Sequence, residues 1–117
     1  MSQISGLLRI GETCAPTGPG LVQTVVAHLY NVTLDDMRAR TRRGARAAFA
    51  RQVAMYLMHV VYRLSLTEVA GHFGRDRSTA SYACHHVEDL RDDDRFDRQL
   101  VHIENILREA ADIEVAV

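Results

Sequence analysis

From Ser65 to Leu90 the chain reads SLTEVAGHFGRDRSTASYACHHVEDL, and no other stretch restricts the fold as strongly. Ser65 is placed to cap a short helix whose inward residues are Val69, Ala70 and Phe73, and Gly74 stops it. Asp76 then caps a second helix, with Ala80, Ala83, Cys84, Val87 and Leu90 facing inward. Two helices joined by a three-residue turn, with a small alanine where they cross, have helix-turn-helix spacing. The outer face of the second helix carries Arg77, Ser78, Ser81, Tyr82 and His85, with no carboxylate before Glu88. An ordinary helical hairpin is free to be rich in glutamate there. Short donors and an arginine can approach phosphates and base edges, which a carboxylate would repel.

The rest of the chain predicts an all-α domain around this unit. GETCAPTGPG, from Gly11 to Gly20, has no periodicity and reads as the end of a flexible arm over 1–20. The domain is expected to start near Leu21 and to run to residue 112, with a tail over 113–117. In LVQTVVAHLYNV the stripe Leu21, Val25, Ala27 or His28, and Leu29 has helical spacing. Thr33 is placed to cap a short helix with Asp35 and Asp36 in its first turn. RARTRRGARAAFARQ is basic, with Gly44 as a break, and leads into a long helix. Its buried stripe is Val53, Leu57, Val60 or Val61, and Leu64, and its opposite face is Gln52, Tyr56, His59 and Arg63, with Arg51 beside it. Phe96, Leu100, Ile103 and Leu107 predict a final helix over the core, started by Asp92, Asp93 and Asp94. The alternative for this acidic helix is a dimerisation or protein-partner surface.

Charge sharpens the functional question. The net charge of -1 over 117 residues conceals a basic middle: residues 37–86 hold nine arginines against Glu68 and Asp76, for +7. Residues 1–36 carry -2, and residues 87–117 carry -6. Such a block is the footprint of a surface that meets a polyanion. All 14 basic residues are arginine; without lysine there is no phosphate-binding P-loop and no Schiff-base chemistry. Cys84, His85 and His86 are adjacent, but neighbours on a helix diverge by about 100° and cannot converge on one ion. His28, His72 and His102 are isolated, and the aspartates at 92–94 lack the alternation and glycine of a calcium loop. No metal, no cofactor and no enzymatic activity are expected. Cys14 and Cys84 make no disulfide framework. The apolar runs are far short of a membrane span, and MSQISGLLRIGE lacks the features of an export signal. The expectation is a soluble cytoplasmic protein associated with the nucleoid.

From Leu21 to about Arg108 the chain also resembles a known family: the C-terminal DNA-binding domain, domain IV, of the bacterial chromosomal replication initiator DnaA. The match is carried in order by LVQTVVAHLYNVTLDDM, RARTRRGAR, ARQVAMYL, SLTEVAGHFG and RDRSTASYAC running into HHVEDL. The resemblance implies a minor-groove arginine at Arg43, with Arg46 in the same basic stretch. It implies contacts of Arg51 and Gln52 with the DNA backbone and groove edge, and a backbone-amide contact to phosphate at Leu66 and Thr67. Arg75, Asp76, Arg77, Ser78 and Thr79 match the signature that enters the major groove. Ser81, Tyr82 and His85 extend that face.

The departures fall on the reading turn. The family usually shows Phe-Gly-Gly-Arg-Asp-His-Thr-Thr, whereas this chain has Phe73-Gly74-Arg75-Asp76-Arg77-Ser78-Thr79, one glycine shorter and with arginine for histidine. Thr67 stands where proline is usual, His59 where lysine is usual and Tyr82 where histidine is usual. Arg77 is suited to guanine, whose O6 and N7 accept a bidentate guanidinium. The chain is expected to be a small relative without the family's ATPase module. It is expected to bind duplex DNA at sites like the initiator's box, regulating replication initiation or transcription and competing with the initiator. The rival expectation is an interaction module acting through the acidic helix.

Overall fold

A single central helix organises the fold, because it packs against each of the other five. The computed structural model describes residues 18–39 and 44–116, with side chains through residue 110. These residues form α1 Pro19–Tyr30, α2 Leu34–Arg38, α3 Ala45–Val61, α4 Leu66–Gly71, α5 Arg77–Leu90 and α6 Asp94–Ala116, with no strand among them. The expectation of an all-α domain is met. α3 is the hub: Ala50, Val53, Ala54, Met55, Leu57 and Met58 are essentially inaccessible and point to several sides. A helix packed by several neighbours buries residues on several sides, which is why its alanines and methionines do not form a single stripe.

That geometry corrects the position of Tyr56. The spacing placed it on the outer face of α3, but it is only 4% exposed, against the C-terminal end of α5. Its hydroxyl donates to Glu88 Oε1 at 2.7 Å and accepts from Arg91 at 3.1 Å. Burial, with the Glu88 bond adding to it, pushes the phenol up to about 12, so the ring stays neutral. On α1 the buried residues are Val22, Gln23, Val26 and Ala27, whereas Leu29, expected in the stripe, is 50% exposed. Helical spacing alone permits both registers; the face that meets α3 is the one with the smaller and β-branched side chains. Leu90, expected inward, is 37% exposed, because α5 reaches its last turn there and turns away at Arg91.

The helix ends follow local chemistry. Pro19 opens α1 at the first helical position, where its missing N–H is no loss, so the helix starts inside the stretch read as an arm. Asn31 closes α1 in the left-handed conformation. Thr33 Oγ1 accepts from the Asp36 N–H at 2.9 Å, as its sequence position predicts. α4 has a full capping box: Ser65 Oγ accepts from the Glu68 N–H at 3.1 Å, and Glu68 Oε1 accepts from the Ser65 N–H at 2.9 Å. Those bonds hold the Glu68 carboxyl below its usual range. Ser65→Ala is expected to cost about 1 kcal/mol, read by denaturant titration; a loss under a few tenths means that water replaces the cap. Asp93 Oδ1 accepts from the Phe96 N–H at 2.9 Å and starts α6. α6 runs on to Ala116, past residue 112 where the tail was expected, since no glycine or proline interrupts it.

Candidate nucleic-acid interface

The turn between α4 and α5 is longer than its sequence suggests. α4 ends at Gly71 rather than at Phe73, leaving residues 72–76 as the connection. Phe73 nevertheless stays buried, its N–H bonded to the Ala70 carbonyl at 3.0 Å. Gly74 takes a φ of 62°, a conformation that glycine adopts without penalty, and lets the Arg75 N–H return to Ala70 at 3.0 Å. Asp76 then occupies the N-cap of α5 in extended conformation, but its side chain makes no cap bond. The Thr79 and Ala80 N–H groups bond the Asp76 main-chain carbonyl instead, at 3.0 and 3.3 Å. The carboxylate is exposed at the head of the helix and has no partner among the described residues, so it can accept from an amino group.

α5 presents the face read from its sequence. Ala80, Ala83 and Val87 are buried, Arg77, Ser78, Thr79, Tyr82 and His85 are exposed, and Ser81 is half-buried. Tyr82 is 62% exposed yet fixed: it stacks on His86 with ring centroids 5.7 Å apart and planes 6° from parallel. His86 meets the edge of Phe49, which in turn packs on Tyr30 and Phe96. A chain of rings thus ties the exposed tyrosine to the core. His85 donates from Nδ1 to the Ser81 carbonyl at 2.9 Å, since a carbonyl can only accept, and its Nε2 remains free to face a ligand. Cys84, His85 and His86 diverge, and burial pushes the Cys84 thiol up to about 11. No cluster suited to a metal occurs among the described residues.

A second basic group lies behind the turn. Arg75 reaches 36 residues back along the chain: one guanidinium nitrogen donates to the Ala39 carbonyl at 2.9 Å, the other to Phe73 at 2.9 Å. Arg51, from the first turns of α3, donates to the Met37 carbonyl at 3.1 Å. Both arginines therefore satisfy carbonyls at the C-terminal end of α2, where a helix dipole favours cations. Burial lowers the Arg51 pKa, and the nearby charge of Arg75 lowers it further. No carboxylate pairs with either guanidinium among the described residues. Two adjacent positive charges thus stand without a counter-anion where the chain enters residues 40–43 and the reading turn begins.

The remaining site residues place as follows. Arg46 is exposed at the start of α3, Gln52 is half-buried nearly two turns on, Leu66 is half-buried and Thr67 exposed at the head of α4. Arg43 lies outside the described residues. Comparison with known proteins decides the family: the model described as "Bacterial dnaA protein helix-turn-helix" matches residues 19–87, well over half of the chain.

The chain belongs to the bacterial DnaA helix-turn-helix family.

The chromosomal replication initiator protein DnaA of Thermoanaerobacter sp. (strain X514) is 32% identical over 89 residues, covering 75% of this chain and 20% of that protein. DnaA of Microcystis aeruginosa is 33% identical over 103 residues, covering 79% of this chain and 23% of its own length. DnaA of Nostoc punctiforme is 36% identical over 78 residues. The chain spans about a fifth of the length of such relatives. The DnaA helix-turn-helix is a DNA-binding unit without enzymatic activity, and the matched segment ends within α5. No helix of the described residues is long and apolar enough to cross a membrane.

Two features of this DnaA-type site were missed by sequence reasoning. The Arg75 tether to Ala39 has no local signal, because its partner is a main-chain carbonyl far along the chain. The Tyr82–His86 stack does have one, the four-residue spacing that brings side chains together on a helix.

Proposed function

We propose that this chain binds duplex DNA at sites like those of the replication initiator, with α5 in the major groove, and so regulates replication initiation or transcription. Asp76 and Arg77 read base edges from the head of α5; Ser78, Thr79, Ser81, Tyr82 and His85 meet bases and backbone along its outer face. Arg51 and Gln52 hold a backbone phosphate, Leu66 and Thr67 another, and Arg43 and Arg46 supply the basic stretch beside the minor groove. Arg75, with two of its nitrogens on main-chain carbonyls, acts from behind the turn by fixing it to the end of α2. Occupation of shared sites puts the chain in competition with the initiator.

One observation supports this reading most: the exposed head of α5 joins an aspartate, an arginine and two hydroxyls, backed by two guanidinium groups, and among the described residues neither the aspartate nor any of these arginines has an ion-pair partner. The protein-partner reading is weaker, because Leu100, Ile103 and Leu107 of α6 are buried and Phe96 packs on the same core.

Selection from a random duplex library at near-physiological salt tests the proposal. An enriched motif is expected, with log affinity falling against log salt at a slope of about -4 to -6, as for five or six phosphates neutralised. An initiator-like motif supports competition, and a different motif makes the chain a separate regulator. No enrichment together with weak binding at low salt overturns the proposal.

A further inference from the structure

Among the described residues, two that are not glycine have a left-handed backbone: Asn31, with φ 57°, and Arg63, with φ 59°. Each follows the end of a helix and lets the chain turn back on it. At Asn31 the residue suits the geometry, because a short polar side chain tolerates this conformation. Arg63 fills the corresponding place after α3, where the Leu64 N–H returns to the Met58 carbonyl at 3.4 Å. A long side chain there carries a penalty that glycine would avoid.

The turn closes α3, which any residue able to adopt this conformation would do, but the Arg63 side chain adds nothing to it. Arg63 is exposed, and no hydrogen bond or ion pair holds its guanidinium among the described residues. A charged residue held in a strained conformation with no partner of its own points outward, to a ligand. Its position says which one. His59 and Leu66 line one side of a concavity of about 220 Å³, and Ser81, Cys84, His85 and Glu88 of α5 line the other, with the Glu88 carboxylate taken up by the Tyr56 hydroxyl. The His59 ring bonds the Leu64 carbonyl at 2.7 Å, so the segment that contains Arg63 is pinned at the margin of this concavity, across from the outer face of α5. Three residues span at most about 10 Å of chain, so the Arg63 and Leu66 main chains lie within that distance of each other.

We infer that Arg63 is a further DNA-backbone contact, binding a phosphate on the α3–α4 side of the groove that α5 enters. The inference rests on the DNA-binding proposal above. It identifies a residue that neither the helix-turn-helix pattern nor the resemblance assigns to the interface. The contact is to phosphate, so it adds affinity without base preference.

The test exploits two effects of opposite sign. Arg63→Gly removes strain and charge together, and Arg63→Lys keeps the charge. Thermal unfolding and affinity for the selected duplex, over a range of salt, are measured for the full chain and both variants. Arg63→Gly is expected to raise the Tm by about 2–5 °C. It is expected to weaken binding roughly three- to tenfold on selected and unselected duplexes alike, with a salt slope shallower by about 0.9. Arg63→Lys should retain the wild-type slope. If Arg63→Gly is more stable and binds as tightly as wild type, Arg63 is tolerated strain and the inference falls. A loss confined to the selected duplex also overturns it, since the contact would then be to a base. Failure of the wild-type chain to bind any duplex removes the DNA-binding proposal itself, an outcome that is distinct from the other two.

Discussion

Arg91→Ala is expected to destabilise the fold by about 3 kcal/mol and to lower the Tm by roughly 10–15 °C. Arg91 ends α5, and its side chain passes beneath α6. Nε meets Asp97 at 2.6 Å, and the two terminal nitrogens meet the Glu104 carboxylate at 2.8 and 3.4 Å. One of them also donates to the Tyr56 hydroxyl at 3.1 Å, with the guanidinium 5.8 Å from the centre of that ring. Burial pulls the Arg91 pKa down, but the bonds to Glu104, Asp97 and Tyr56 outweigh it and hold the group charged. Deletion leaves Glu104, only 7% exposed, as a buried carboxylate without its cation. Urea denaturation gives the number, and Glu104→Gln in the alanine background should restore part of it, because a neutral amide is cheaper to bury. A loss below 1 kcal/mol would show that water reaches Glu104. DNA affinity measured well below the new Tm should not change, since Arg91 lies at the far end of α5 from Arg77.

Arg91 also shows where sequence reading stops. The helices, their caps at Thr33 and Ser65 and the outer face of α5 were all legible, because each is decided within a few residues by capping chemistry, glycine or spacing. The buried network of Arg91, Glu104 and Tyr56 was not, since its partners lie 13 and 35 residues apart. Tyr56 was misplaced for the same reason: a pattern of apolar residues reveals one packed side of a helix, and α3 is packed on several sides. Leu29 and Leu90 looked like core because a large apolar residue at helical spacing does so whether or not another helix is there to cover it. At the candidate site, the identity of the residues on α5 could be read directly. That the Asp76 side chain makes no cap bond, and that Arg75 turns back to Ala39, depend on the path of the turn. That path is one glycine shorter than the family pattern and two residues longer than the sequence suggested.

Arg77→Ala is expected to cost about 1–3 kcal/mol at the preferred duplex, roughly five- to 150-fold in Kd, and much less on unselected DNA. Arg77 is the first residue of α5, exposed and unpaired among the described residues. As a cation at a helix N-terminus it opposes the dipole, so its removal should leave stability unchanged or slightly higher. A fall in affinity therefore cannot be ascribed to unfolding. Two controls separate the ways in which Arg77 could act. A phosphate contact predicts equal losses on all sequences and a salt slope shallower by about 0.9; a base contact predicts a loss tied to one position and relaxed preference there. Arg77→Lys keeps the charge but lacks the planar fork that matches guanine O6 and N7. If Arg77 reads guanine, lysine should recover binding to unselected DNA without recovering the preference. If lysine restores the preference in full, the arginine serves only as a charge, and discrimination has to come from the free carboxylate of Asp76 and the hydroxyls behind it.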